Sequence, residues 1–138
     1  MSELTIKHVS APDERRPFVA HGHVDIFDFG GGAAVGRAVF EPGWKWSQDV
    51  RPLAGTDSCQ AAHACYVVSG RLAIAMDDGT RKELGPGDMA LIPAGHDAWV
   101  VGDEPCTLVD FEGMSQYARS EAPATRYEGA GEPAPGIH

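Results

Sequence analysis

Hydrophobic residues between positions 63 and 101 fall into short runs that turn residues separate. Apolar runs occupy residues 64–68, 72–76, 89–92 and 98–101, and each gap between them contains glycine. Runs of four or five residues bounded by Gly, Pro, Asp or Ser are typical of β-strands joined by tight turns. No run repeats its apolar positions every 3.6 residues, so the pattern predicts strands in this stretch.

Three further segments extend the predicted sheet. Residues 24–29 and 34–41 form two earlier strands, separated by a glycine triplet, and residues 81–84 form an edge-like strand. The triplet at 30–32 is interpreted as a turn, because neither a helix pattern nor a Lys-Ser/Thr pair follows it, as a phosphate-binding loop requires. The chain is therefore predicted to be all-β.

The two chain ends differ from this central region. Residues 1–20 contain Pro12 and Pro17, which oppose a long helix, and the charged run at 13–16 is expected to be solvated. From residue 115 the chain is rich in Pro, Gly, Ala and Glu, a composition that buries little apolar surface. We therefore expect a lead-in over 1–20, a barrel over 21–114 and a C-terminal tail over 115–138 that is disordered or packed on a partner subunit.

Two motifs resemble those of the cupin superfamily. Gly87, five residues, Pro93, one residue and Gly95 are similar to the start of the second cupin motif, and the run ending at Gly70 is similar to the end of the first. The resemblance spans roughly residues 40–111. It implies a small jelly-roll barrel, a double-stranded β-helix, with its site at the mouth. It implies no single activity, because cupins include dioxygenases, isomerases, decarboxylases and sensor domains.

Histidines lie at or near two positions that the resemblance assigns to metal ligands. His63 stands where the first motif normally has an acid, and Ala98 stands where the second motif normally has a histidine. His96 lies two residues before Ala98, with the same strand parity, and is expected to reach the same space. We therefore take His63 and His96 as candidate catalytic residues and candidate metal ligands.

The other two ligand positions of the first motif depend on the register. Counting back from His63 selects Asp57 and Cys59, whereas counting forward from Pro42-Gly43 selects Asp49 and Arg51. The forward count is preferred for the backbone, because Pro-Gly commonly opens this strand in the family that the chain resembles. Cys59 is the preferred candidate ligand, and Asp49 is the candidate that the forward count supplies. A thiolate with two imidazoles would suit zinc, and a carboxylate in its place would suit iron or manganese, with nickel a further option.

Three functions are compatible with these residues. The leading hypothesis is a metal-dependent cupin enzyme that acts on a small organic molecule. The alternatives are a non-catalytic ligand-binding or sensor cupin, and a metal-free acid–base catalyst that uses the same two imidazoles. In a purely structural interpretation, His63 is a hydrogen-bonded core residue, and Cys59 and Cys65 are small buried hydrophobes.

Aromatic residues are the candidate substrate-binding groups. Trp44 and Trp46 are predicted to share one face of a strand, Trp99 follows the second motif, and Tyr66 lies in the first. Tryptophan combines a large apolar surface with one N–H donor, so it is common at pocket rims and subunit interfaces. An inward Trp44–Trp46 pair would suit a flat or apolar small molecule. An outward pair would form the surface of the homodimer that the resemblance implies.

Composition and charge exclude several classes of partner. The 138 residues suffice for one domain, and the net charge of −9 argues against nucleic acid and anionic membranes, which require clustered Lys and Arg. Three cysteines without a framework spacing are expected to be reduced. The N-terminal residues lack the pattern of a secretory signal, and no apolar run is long enough to span a membrane. We therefore expect a cytoplasmic protein.

Overall fold

The computed structural model describes residues 3–112, which form nine β-strands and two single-turn helices. In chain order the elements are β1 Glu14–Pro17, β2 Gly22–Gly30, β3 Ala33–Phe40, α1 Trp46–Asp49, α2 Arg51–Ala54, β4 His63–Ser69, β5 Leu72–Met76, β6 Arg81–Leu84, β7 Met89–Ile92, β8 His96–Val100 and β9 Cys106–Asp110. The strands predicted from the apolar runs and over residues 24–29, 34–41 and 81–84 are all present. None of the helices in residues 3–112 is long and apolar enough to cross a membrane.

The strands form two antiparallel sheets around one hydrophobic core. The larger sheet has the order β1-β2-β3-β9-β4-β7, and the smaller sheet has the order β6-β5-β8. The core takes residues from both sheets, including Val24 and Leu108 from the larger sheet and Ile74 and Val100 from the smaller one. This arrangement, with non-consecutive strands as neighbours, is the jelly-roll barrel expected for the chain.

Alternation along β4 determines which side chains point into the barrel. His63, Cys65 and Val67 are buried, whereas Tyr66 and Val68 are 40% and 49% exposed. Because neighbouring residues of a strand face opposite sides of the sheet, His63 faces the interior and Tyr66 faces outwards. The parity predicted for this strand is confirmed, and it excludes Tyr66 from the barrel interior.

The expected lead-in contains a strand of the barrel. β1 pairs with β2, with Arg16 opposite the inward residue Val24. Arg16 is only 5% exposed, and its Nε donates to Oε2 of Glu14 at 2.8 Å. The prediction that the whole charged run is solvated is therefore wrong for Arg16, because its strand position points inwards and its charge is paired. The expected C-terminal tail, residues 115–138, lies outside the described residues.

The segment around Trp44 and Trp46 is helical and looped, where a strand was predicted. Trp46 begins α1, and Gly55, at φ +77°, ends α2. Both tryptophans are almost fully buried, at 2% and 1% exposed. The interpretation of this pair as a dimer surface is therefore wrong. The alternation argument failed because it assumed a strand, whereas the local turns direct both rings into the core.

A matched pair of glycine substitutions tests the close packing of the β4–β5 turn. Gly70 (φ +78°) and Gly79 (φ +98°) both have positive φ, but a Cβ on Gly70 would lie 2.2 Å from the Pro105 carbonyl oxygen, and one on Gly79 would contact nothing within 4 Å. We expect Gly79→Ala to lower the free energy of unfolding by about 1–2 kcal/mol through backbone strain. Gly70→Ala should cost several kcal/mol more, because backbone must move. Urea unfolding measures both, and equal losses would contradict this packing.

Candidate metal centre

Three potential metal ligands meet inside the barrel. One ligand atom each from Cys59, His63 and His96 lies within 4.8 Å of the others, and the three side chains are 3%, 6% and 3% exposed. His63 is the first residue of β4, and His96 is the first residue of β8. The two sheets thus contribute one imidazole each, and the cluster lies where the sheets meet.

Backbone pairing brings Cys59 to this cluster from outside the named strands. The Cys59 N–H donates to the His96 carbonyl oxygen at 2.7 Å, and the Gly95 N–H donates to the Cys59 carbonyl oxygen at 2.7 Å. Cys59 therefore forms an isolated antiparallel bridge with His96. Gly95, at φ +93°, supplies the left-handed turn that starts β8 beside it.

A buried carboxylate orients His63. Nδ1 of His63 forms a short hydrogen bond with Oδ2 of Asp110, a residue of β9 with no exposed surface. With the Nδ1 proton donated to Asp110, Nε2 is the metal-binding nitrogen, and it lies 3.8 Å from Sγ of Cys59. A carboxylate bonded to the far nitrogen is the usual second partner of a metal-ligating histidine, since it fixes the tautomer and the ring orientation.

The backbone orients His96 in the same way. Nδ1 of His96 donates to the Pro93 carbonyl oxygen at 2.9 Å, so Nε2 is left to point away from that turn. The rings of His63 and His96 meet edge to face, with their centroids 5.5 Å apart. The two imidazoles therefore share one space, as predicted from the parity of the second motif.

The thiol of Cys59 has a much lower pKa than the thiols of the other two cysteines. Burial raises the pKa of the Cys59 thiol, but hydrogen bonds and positive charge from His63 and His96 outweigh burial and lower it to about 6. Burial lowers the pKa of His63, but hydrogen bonds to Asp110 and Cys59 and their negative charge raise it to about 9. Burial raises the pKa of Cys65 to about 12 and that of Cys106 to about 11. Cys59 is thus a thiolate at neutral pH.

A small cavity adjoins the cluster. The volume that the centres of water molecules can occupy is about 30 Å³, which leaves room for roughly two water molecules. The walls are mostly apolar and consist of Phe40, Trp44, Trp46, His63, Cys65, Leu72, Ile74, Ile92, His96, Ala98, Leu108 and Asp110. Trp44 and Trp46, two of the candidate substrate-binding residues, therefore lie beside the histidines.

The structure does not bring the other two candidate aromatics to this cavity. Tyr66 points out of the barrel from the opposite face of β4. Trp99 follows the cavity residue Ala98 and so faces the other side of β8, where Lys45 Nζ and Arg81 Cζ lie 5.4 and 5.0 Å from its ring centroid. Their expected role in substrate binding is wrong for this cavity, because strand alternation directs both rings away from it.

Asp49 also lies outside the cluster. Its Oδ2 accepts hydrogen bonds from the Lys45 N–H and from Nδ1 of His21, both at 3.1 Å, so this carboxylate stabilises the turn before α1. The register counted back from His63 selects Cys59, which lies beside the two histidines, although Asp57 of the same register is exposed. The forward count selects Asp49, which lies elsewhere, because two short helices interrupt the expected strand. The prediction of Asp49 as a ligand is corrected accordingly.

Asp110 is the functional residue that the sequence analysis missed. It lies in a short strand in which Cys106, Leu108 and Asp110 are buried alternately with partly exposed residues. An aspartate on the inward face of such a strand requires a charged or hydrogen-bonding partner inside the barrel. The same parity rule that selected His63 could therefore have found it.

The comparison with protein families identifies the barrel. The family model described as the cupin domain matches residues 59–112, which run from Cys59 to just beyond β9. The chain carries a cupin domain. The match includes Cys59, His63, His96 and Asp110, so the whole candidate centre lies within it. Among curated proteins, no sequence is significantly similar to this chain.

Solved structures support the same fold. A polyketide cyclase, RemF, from Streptomyces resistomycificus is 18% identical with a TM-score of 0.56, and the alignment covers 78% of each chain. An RmlC-like cupin from Shewanella frigidimarina is 15% identical with a TM-score of 0.55, covering 79% of this chain and 91% of the other. A protein of unknown function from Acinetobacter is 12% identical with a TM-score of 0.53, covering 72% and 89%. These likenesses establish the cupin barrel for this chain.

The thiolate character of Cys59 can be measured directly in metal-free protein. We expect one thiol to ionise with a midpoint near pH 6, seen as thiolate absorbance in the ultraviolet, because Cys65 and Cys106 ionise only above pH 10. Cys59→Ser should abolish this step. His63→Gln should move it to higher pH, because burial remains and the positive charge is lost. A midpoint above pH 8 in the unsubstituted protein would contradict the described electrostatics.

Proposed function

We propose that this cupin domain binds one divalent transition metal, with zinc preferred, through Cys59, His63 and His96. The observation that carries the proposal is that all three ligand atoms converge within 4.8 Å inside the barrel while separate acceptors hold both imidazoles. Buried groups of this kind are rarely adjacent without a structural or chemical reason. The proposal concerns a site with three protein ligands, which leaves a fourth position for a water molecule or substrate.

The donor set and its spacing fit zinc. One sulfur and two nitrogens are ligands that zinc accepts in catalytic sites, and tetrahedral bond lengths place a sulfur and a nitrogen about 3.5 Å apart. The observed distance between Cys59 Sγ and His63 Nε2 is 3.8 Å. A shift of a few tenths of an ångström would make this pair suitable. With pKa values of about 6 for Cys59 and about 9 for His63, the thiolate exists at neutral pH before any metal arrives, and metal binding would displace one proton from His63.

The residues of the chain give such a metal a defined chemical role. A metal held there would act as a Lewis acid on an oxygen atom of a bound small molecule or would activate a bound water. Asp110 keeps the His63 ring in place, and the Pro93 carbonyl keeps the His96 ring in place. Apolar walls limit entry of bulk water, which strengthens electrostatic interactions inside. We therefore propose a metal-dependent enzyme acting on a small organic molecule.

A metal-free catalyst is the second candidate, and one geometric observation favours it. Cys59, His63 and Asp110 form a continuous chain of contacts in which the imidazole lies between the thiol and the carboxylate. A thiolate beside an imidazole that a carboxylate orients is an arrangement that supports nucleophilic or acid–base chemistry. Activity that persists after chelation would favour this candidate over the metal-dependent one.

The expected homodimer remains part of the proposal. Five large hydrophobic side chains on or next to β4, β7 and β9 are at least 40% exposed, namely Tyr66, Val68, Met89, Leu91 and Phe111. Exposed apolar residues on one region of a sheet are common at protein interfaces. This surface, and not the buried Trp44–Trp46 pair, is the one that supports the expectation of an association between subunits.

Metal analysis tests the proposed centre. After dialysis against zinc and removal of unbound metal, we expect one zinc per chain. His63→Ala, His96→Ala and Cys59→Ser should each weaken binding by more than about 100-fold, because each removes a direct ligand and second-shell changes alone cost 10- to 100-fold. Isothermal titration calorimetry measures the affinities.

Two variants outside the centre are the matched controls. His8 is an exposed histidine whose ring contacts Ser10, and Cys106 is a buried core residue that does not belong to the three-residue cluster. His8→Ala and Cys106→Ala should bind zinc as the unsubstituted protein does. Full zinc binding by the His63 and His96 variants would contradict the proposed centre, as would equal losses in the controls.

Asp110→Asn separates orientation of His63 from direct ligation. The amide keeps the shape of the side chain but loses the charge, so we expect zinc affinity to fall about 10- to 100-fold while one zinc per chain can still be bound. Thermal unfolding of the zinc-free variant checks that the barrel is intact. An unchanged affinity would show that the Asp110 carboxylate has no role in metal binding.

A further inference from the structure

Two indole N–H groups beside the candidate centre lack acceptors. Trp44 and Trp46 line the cavity together with His63 and His96. Their Nε1 atoms are buried and form no hydrogen bond within the part of the chain that the structure describes. The two donors belong to residues that are only 2% and 1% exposed, so bulk water does not satisfy them.

Leaving both donors unpaired would be costly. A buried donor without an acceptor loses the hydrogen bond that it makes with water in the unfolded chain, and native proteins pair most buried polar groups with protein atoms, ordered water or ligands. The other residues that line the cavity offer few acceptors for these N–H groups. Asp110 is the carboxylate in its wall, and the His63 ring and the Glu112 N–H already bond to its two oxygens.

The composition of the wall defines the chemistry of the missing partner. Trp44 and Trp46, which carry the two unpaired donors, line a cavity with mostly apolar side chains, and His63 and His96 of the candidate metal centre line the same cavity. An acceptor-only ligand with two oxygen atoms is complementary to two donors, and an anion is complementary to a metal with an open position. The available space, about 30 Å³ for the centres of water molecules, limits such a ligand to about three heavy atoms.

We infer that the cavity binds a small carboxylate, of the size of formate, which the indole N–H groups of Trp44 and Trp46 hold beside Cys59, His63 and His96. This inference names the ligand class of the proposed centre and rests on that function. It assigns Trp44 and Trp46 the role of hydrogen-bond donors to the ligand. The small volume of the cavity would exclude larger carboxylic acids.

Nuclear magnetic resonance of the indole N–H groups tests the inference without any assay of activity. The chain has three tryptophans, so ¹⁵N-labelled protein gives three indole signals, which single Trp→Phe variants assign. On titration of zinc-loaded protein with sodium formate, we expect the signals of Trp44 and Trp46 to shift and saturate, while that of Trp99 stays fixed. Benzoate, which is too large for the cavity, should leave all three unchanged.

Substitutions then establish that the donors bind the anion. Trp44→Phe and Trp46→Phe should each weaken formate binding about 10- to 100-fold, as expected for losing a hydrogen bond to a charged group. Trp99→Phe should bind formate normally. Because phenylalanine also changes packing, replacing Trp46 with benzothienylalanine, which keeps the ring shape but lacks the N–H, should reproduce the loss.

The outcomes distinguish this inference from the proposed metal centre. If zinc binds through Cys59 but formate shifts neither buried indole, the donors are satisfied by water alone and the inference is overturned while the metal centre stands. If zinc does not bind, the proposed function fails, and the same formate titration of metal-free protein decides the inference. Saturable shifts of both signals there would still support it, and their absence would overturn it.

Discussion

The hydrogen bond between His63 and Asp110 is the interaction on which the candidate centre depends. Both groups are buried, so each would be costly inside the barrel without the other. β4 and β9 are paired neighbours, and Cys65 lies opposite Asp110 in their register. The sheet therefore places the carboxylate beside the start of β4, where His63 lies. Once the carboxylate binds Nδ1, the ring must present Nε2 to Cys59.

The cupin barrel supplies the remaining constraints through its backbone. A corner of the chain brings Cys59 alongside His96, and the Pro93 carbonyl fixes the other imidazole. Two of the candidate ligands thus start strands, and the third forms an isolated β-bridge. Each residue is held by hydrogen bonds that do not use its ligand atom. Such preorganisation means that binding a metal would require small adjustments of side chains, with the barrel unchanged. Trp44, before α1, and Trp46, at its start, line the cavity beside the two histidines.

Particular residues show how far the sequence predicts this arrangement. The runs of apolar residues and their glycine turns are local signals, so the strands, the inward direction of His63 and the convergence of His96 could be predicted. The position of Cys59 was ambiguous because two counting registers competed. The short helices at Trp46–Asp49 and Arg51–Ala54, which decide between them, have no apolar period long enough to detect. Strand parity alone could have placed Asp110 on the inward face of its strand, but not beside His63, because the two residues are 47 positions apart and pairing between distant strands is not a local property.

The central claim is that one sulfur and two imidazole nitrogens hold a metal inside this barrel. X-ray absorption spectroscopy at the zinc edge of the zinc-loaded protein measures that donor set most directly. The account predicts one sulfur at about 2.3 Å and two imidazole nitrogens at about 2.0 Å, with one further light atom in the fourth position. A zinc shell made only of oxygen and nitrogen, or one that is unchanged in Cys59→Ser, would contradict it.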